Sequence, residues 1–416
     1  MHKYNNGTDA TSGPNIDNHY YDRAGVKAAT ADLIYGQFAD RRNMPTKLGK
    51  TYKVSMYEHI LDGDGVTGAG LDADGNASNG NLYGRSRDIG DITAGLPVLG
   101  EGASDVNRVV VTKKDGEVKL NRFGLFLEYT DEATLFLNDD VQMEYREKLG
   151  EAAKEVNEDL LQKDLLSGAN VYYIGSATAR TEVGVDVEDA DGADDDNARV
   201  GYNDVRKWIA TLVSNRAKKF TTVISGSVNV DTKTVGASYV GIIGPEVKFD
   251  LQTVADPFDK KAWTPYQQYA SAGTIMNHEV GAIEEMRFIE SERAQMWAGG
   301  GAAVPADYSG DLANDGTNFN VYPVLMPTQG AFATIGLQGR GKMNFKAKKP
   351  GKASDTDKFG VKGFFSVNWF YAGMILDQSK LLRAEVCATD IGIGNYGSGA
   401  PVNYSGPATM SDVTEA

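Results

Sequence analysis

Few stretches of this 416-residue chain set chemistry-bearing side chains at a useful spacing, and Gly336-Leu337-Gln338-Gly339-Arg340-Gly341-Lys342-Met343 comes nearest. Its glycines and lysine nearly spell a phosphate-binding loop, in which backbone amides cradle phosphates and the lysine reaches the outer ones. The match fails at Met343, where a serine or threonine must hold magnesium, and Lys348-Lys349-Pro350-Gly351 breaks any helix that should follow. A glycine-rich basic turn is the favoured reading. A nucleotide-binding protein using Gly336 to Lys342 stands as an alternative.

Asp72-Ala73-Asp74-Gly75-Asn76-Ala77-Ser78 places oxygens at alternate positions, as a calcium loop does, with Asp62 and Asp64 nearby in sequence. Position six is Ala77 instead of the bend-forming glycine, and position twelve is Tyr83 instead of a bidentate glutamate, so a solvated loop tip is expected. His2, His19, His59 and His278 have no paired spacing, and only His278 adjoins a carboxylate, Glu279. None is assigned as a general base. Cys387 is the sole cysteine, which removes an intrachain disulfide or a cysteine zinc site; its neighbours Ala384, Val386 and Ala388 predict a buried small hydrophobe. Arg340, Lys342, Lys346, Lys348, Lys349 and Lys352 form the one basic cluster. Phe345 is the one aromatic within it in sequence, which argues against a stacking platform for single strands and leaves a solvated loop, an acidic neighbour or packaged nucleic acid. No nucleophilic serine or cysteine motif is present. Catalytic, cofactor-binding and metal-ligating residues are therefore all assigned as none.

A formal charge of −15 argues against a nucleic-acid-binding protein as a whole, yet allows a shell with an acidic outer face. Met1 to Gly7 is polar and lacks the apolar core of a secretory signal. The most apolar run, Val367 to Leu376, is about half the ~20 residues of a membrane helix. A soluble protein made in a cytoplasm, with no membrane partner, is expected.

The element that organises the chain is a helix predicted over Asn138 to Gly168. Val141, Tyr145, Leu149, Ala152, Val156 and Leu160 recur at steps of three and four on one face. Glu144, Glu147, Glu151, Glu155 and Glu158 are expected opposite, toward solvent or a charged neighbour. Asn138 is the expected N-cap and Gly168 the expected stop. At ~1.5 Å per residue the helix is about 40 Å long, a beam joining several parts of a subunit.

Before it, Met1 to about Asp22 reads as an arm and Ala24 to Ala39 as a short helix broken at Arg41 to Pro45. Thr51 to Tyr57 alternates as a strand, and a Gly/Asp/Asn-rich stretch from Leu61 to Gly102 separates it from Val109 to Val111. Asp115-Gly116 predicts a tight turn into Glu117 to Tyr129, whose apolar phase slips near Asn121-Arg122 as at a bulge. After it come an acidic linker at Asp186 to Asp196 and a helix over Tyr202 to Lys219 with Val205, Ile209, Leu212 and Val213 inward. Asn203 or Asp204 is the expected cap of that helix. A strand at Tyr239 to Gly244, a helix from Pro245, and strands at Ala282 to Ile289 and Asn320 to Met326 complete a mixed α/β region. Val361 to Tyr371 and Leu381 to Ala388 are closing strands.

This order of parts resembles the major capsid proteins of tailed phages, the Hong Kong 97-like α+β fold. Met44-Pro45-Thr46-Lys47-Leu48-Gly49-Lys50-Thr51-Tyr52-Lys53 looks like the strand leading into the E-loop in the schitovirus-type podophage capsid family. Ile242 to Leu251, Glu279 to Ile283 with Met286 to Ile289, and Trp369 to Ala372 with Leu382 to Glu385 are similar to its later blocks. The resemblance implies an N-terminal arm (1–43), an E-loop with flanking strands (44–122) and a P-domain (123–200) with a spine helix (138–167). It further implies an A-domain (201–352), closing P-domain strands (353–388) and a C-terminal tail (389–416). It implies a non-enzymatic protein that self-assembles into hexamers and pentamers of an icosahedral virion shell around double-stranded DNA, held non-specifically. The implied partners are copies of itself, the portal protein and, in some shells, a decoration protein, with assembly in the host cytoplasm. An encapsulin-type shell is the related alternative.

Overall fold

A computed structural model of the chain describes residues 34–57, 61, 87–98, 113–132, 141–184, 198–221, 235–269, 275–306, 308, 310–338, 343–351 and 357–391. A 3₁₀ turn at Tyr35–Gln37 precedes β1 (Asp40–Met44) and β2 (Thr51–Tyr57), then come α1 (Ile89–Ala94), β3 (Lys113–Lys119) and β4 (Asn121–Thr130). The long helix α2 (Val141–Leu165) is followed by β5 (Val171–Tyr173), α3 (Tyr202–Ser214), β6 (Tyr239–Ile243) and α4 (Pro245–Thr253). Strands β7 (Thr264–Pro265), β8 (Glu279–Ile283), β9 (Met286–Glu290) and β10 (Tyr322–Pro327) come next. β11 (Phe332–Leu337), β12 (Asn344–Lys348), β13 (Lys362–Ile375) and β14 (Leu381–Val386) close the described chain.

Three sheets result among the described residues. β13 is the hub of the first: β4 runs antiparallel along it from Lys362↔Thr130 to Tyr371↔Asn121, β12 pairs with Phe364–Asn368, and β11 pairs with Ala372–Ile375. β1 adds to β11 in parallel. The second sheet has the order β5-β14-β10-β6-β9-β8-β7, and β2 with β3 forms the third. Strand alternation divides the buried residues of β6 between two cores. Tyr239 and Ile243 join α3 and α4 on one face, while Val240 and Ile242 face the other core. That second core also holds Leu149, Ala153, Leu161 and Leu165 of α2, Tyr129 of β4, and Phe365, Val367, Trp369 and Tyr371 of β13. Each such leucine contributes about 1.5–3 kcal/mol by leaving water. One helix thus shares its apolar stripe with both large sheets, as a beam should, and packs against β4 and β13.

Several local expectations are corrected. Residues 133–140, with the expected cap Asn138, lie outside the described residues, and the helix ends at Leu165. Gly168 does not take the left-handed conformation; a Cβ there would stand 3.2 Å from Leu381 Cδ2, so close packing is what it permits. On α2 the buried stripe runs through Ala153 and not the exposed Ala152, and Glu158 faces inward. Asp115-Gly116 is strand, not turn: Gly116 pairs with Val54, and a Cβ on it would lie 2.3 Å from Met374 Cε. The phase slip is where the chain leaves one sheet for another, at Leu120 between β3 and β4. The segment expected to break a helix, Arg41 to Pro45, falls mostly in the strand β1; of the expected helix, residues 24–33 lie outside the described ones. Ala282 to Ile289 is the end of β8 and most of β9, turned at Glu284-Glu285, where Glu284 takes φ 49°. α3 stops at Ser214, buries Trp208 and exposes Val213. Its N-cap is Gly201, whose N–H donates to Asp204 Oδ2 at 3.1 Å.

Candidate assembly surfaces

The β2–β3 hairpin is hydrogen-bonded to neither large sheet among the described residues and is rooted by Tyr52 and Val118 against Met44, Leu120, Ile335 and Ala372. Alternation leaves one of its faces in solvent, where the Lys53–Glu117 pair at 2.9 Å adds little. Tyr57 at its end, Leu48 before it, and Ile89 and Val98 around α1 are all more than two-thirds exposed. Large apolar side chains left in water over one part of a chain mark an interaction surface.

A second surface feature is where the chain beyond residue 33 joins the body. Ile34 and Tyr35 are buried against α2. The Glu158 carboxylate accepts from the backbone N–H of Tyr35 at 2.5 Å, with the Ile34 and Gly36 amides beside it. The Tyr35 hydroxyl lies 3.0 Å from the Gln162 amide. Burial raises the Glu158 pKa above 4.5, against the pull of those amides. Because the folded value is the higher, the stability this group contributes is full below pH 4.5 and is lost as pH rises through the raised value. Glu158→Gln is therefore expected to flatten the decline of melting temperature between pH 4.5 and neutrality. A variant curve parallel to the wild-type curve would contradict this role. One helical step from Glu158, Arg293 donates to Glu155 (2.9 Å) and Asp159 (2.6 Å), so the acidic row meets a charged neighbour within the chain.

The third surface is the face of the β13 sheet turned away from α2. Register places Lys346, Ser366 and Phe126 in one row and Lys348, Phe364 and Glu128 in the next. Phe126 and Phe364 meet edge-on at 6.3 Å, and Arg122 lies 5.8 Å over Phe370. Pairing thus sets Phe126 and Phe364, distant in sequence, beside Lys346 and Lys348. Phe345, on the opposite face, receives Arg146 of α2 at 5.7 Å.

Gly336 and Leu337 are the end of β11, paired with Asn43 and Met44, and Gln338 N donates to Met44 O at 2.8 Å. Met343 leads into a strand, β12, where a phosphate loop needs a helix. Arg340, Lys342, Lys352, His2, His19, His59, Asp72 to Ser78 and Asp186 to Asp196 lie outside the described residues. The carboxylate beside His278 turns inward: Glu279 accepts from Met276 N at 3.0 Å and lies 3.8 Å from Arg287 Nε. Cys387 is fully buried, as its context predicts. Among the described residues no helix is long and apolar enough to cross a membrane, and no group of three or more His, Cys, Asp or Glu could hold a metal.

No family model matches the chain. It is 34% identical over 385 residues to the major capsid protein of Pseudomonas phage KPP21, covering 90% of this chain and 94% of that relative. Its fold is similar to the capsid of Ralstonia phage GP4, with a TM-score of 0.57 over 92% of this chain and 98% of the other at 11% identity. The architecture is accordingly the Hong Kong 97-like capsid fold that the order of sequence blocks implied.

Proposed function

The chain belongs to the major capsid proteins of bacteriophages, and from that premise we propose how its parts build a shell. It is a structural protein of the virion that assembles with copies of itself into the capsid. In our reading the copies form hexamers and pentamers of an icosahedral shell, assembled in the host cytoplasm, that encloses double-stranded DNA and is joined at one vertex by a portal protein. A decoration protein is a further candidate partner. The subunit does this without catalysis.

The exposed apolar residues of the β2–β3 hairpin and the α1 region carry this reading, because a subunit that leaves them in water gains by laying them on a neighbour. The hairpin and the chain between its strands form the E-loop, α2 the spine, the first sheet the P-domain, and the second sheet with α3 and α4 the A-domain. In this division Phe332–Lys348 goes with the P-domain, since β11 and β12 pair with β13, and Leu381–Val386 goes with the A-domain sheet.

Electron micrographs of the purified protein are expected to show shells or capsomers; a clean monomer at high concentration would count against the proposal. Encapsulated enzyme in place of DNA would point to an encapsulin-type shell. Deleting residues 65–81 is expected to leave the subunit's melting temperature nearly unchanged and to reduce particle yield several-fold. Unfolding of the deleted subunit would contradict the E-loop assignment.

A further inference from the structure

A cleft of about 470 Å³ opens where α2, the start of α4 and the loop after β9 meet, lined by Asp159, Pro245, Glu246, Glu292, Arg293 and Met296. Glu246 is only 9% exposed, and the hydrogen bond of its carboxylate is to its own backbone N–H. Burial raises its pKa, with Glu290 adding repulsion. The cations at hand are committed elsewhere. Arg293 serves Glu155 and Asp159, and Lys248 donates to Glu290 Oε2 at 2.7 Å. The buried Glu246 and the exposed Glu292 thus leave the cleft short of positive charge, while Pro245, Ala294 and Met296 give it apolar lining. An anion is disfavoured by the carboxylates already there. The chemistry that fits is a cationic head on an apolar stem, the form of a lysine or arginine side chain.

Resting on the capsid reading, we propose that this cleft receives a lysine from β12 of a neighbouring copy in the shell, its ammonium group seated between Glu246 and Glu292. The occupant is argued from charge: β12 is an edge strand with Lys346 exposed and Lys348-Lys349 next to it, and the chain's function is to meet copies of itself.

Carbodiimide, which joins carboxylates to amines in contact, tests this on assembled wild-type shells. A dimer band on a denaturing gel is expected to contain Glu246 or Glu292 linked to Lys346, Lys348 or Lys349, and Glu246→Gln with Glu292→Gln should remove it. Shells of Glu246→Gln are expected to release subunits in urea about tenfold faster, the size of one lost charge-assisted contact, with subunit melting little changed. Shells without that linkage, or shells in which added putrescine couples to Glu246 as readily as in free subunits, would overturn the proposal and leave the capsid reading intact. A preparation that forms no particles would instead overturn the capsid reading and this inference with it.

Discussion

Glu385→Ala is expected to lower the unfolding free energy of the subunit by about 3–5 kcal/mol, because it strands a buried charge. Glu385 lies on β14 with no exposure and accepts Arg180 Nε and Nη2, both at 2.8 Å. Arg383 Nε stands 2.9 Å from Glu385 Oε1, an ion pair without hydrogen-bond alignment. Arg383 also donates to the Leu166 carbonyl just past the end of α2, while Arg180 stacks 3.6 Å over Trp297. One carboxylate therefore ties the end of the long helix, two loops and a central strand of the second sheet. Without it, Arg383, 8% exposed by its side chain, faces the like charge of Arg180 in a site whose desolvation already depresses its pKa. Arg180→Met leaves Glu385 paired with Arg383, and its expected cost is smaller, about 1.5–3 kcal/mol. Urea unfolding of the free subunit measures both. A loss under about 1 kcal/mol for Glu385→Ala would mean that the arginines find water or other acceptors.

How much of this was legible in the sequence depends on what holds each element. β13 and β2 were readable because one face of β13 is buried and one face of β2 half-buried, so their apolar residues alternate. β8 and β9 are buried on both faces, which removes the alternation and merges two strands into one apolar run across Glu284-Glu285. β1, Asp-Arg-Arg-Asn-Met, has no strand signature; backbone pairing to β11 makes it a strand, and no side-chain pattern records that. The inward turn of Glu158 could not be foreseen either, since what draws it in is the set of amides around Tyr35, more than a hundred residues away. The face that joins Lys346 and Lys348 to Phe126 and Phe364 was hidden for the same reason, being written in cross-strand register. The order of blocks fared better than any single block, because a fold's sequence of parts survives changes in each part.

Trp208→Ala is expected to cost about 3–5 kcal/mol, the second large effect, and Val213→Ala on the same helix to stay within about 0.5 kcal/mol. Periodicity alone places Val213 inward; α3 instead buries Val205, Trp208 and Leu212 and leaves Val213 54% exposed. Trp208 has no exposure, meets Tyr172 edge-on at 6.1 Å and belongs to the core shared with Ile243, Val247 and Phe288. Its indole Nε1 has no hydrogen-bond partner among the described residues, so packing, and not a polar contact, retains the ring. Trp208→Phe keeps most of that packing and removes the orphaned N–H; its expected cost is below about 1.5 kcal/mol. The three variants thus separate packing from polarity and one face of the helix from the other. Thermal melts of free subunits give the order, and particle yield should follow it, since α3 covers the second sheet on the side that α2 does not reach. Equal losses for Trp208→Ala and Val213→Ala would mean that α3 is rotated from the orientation described.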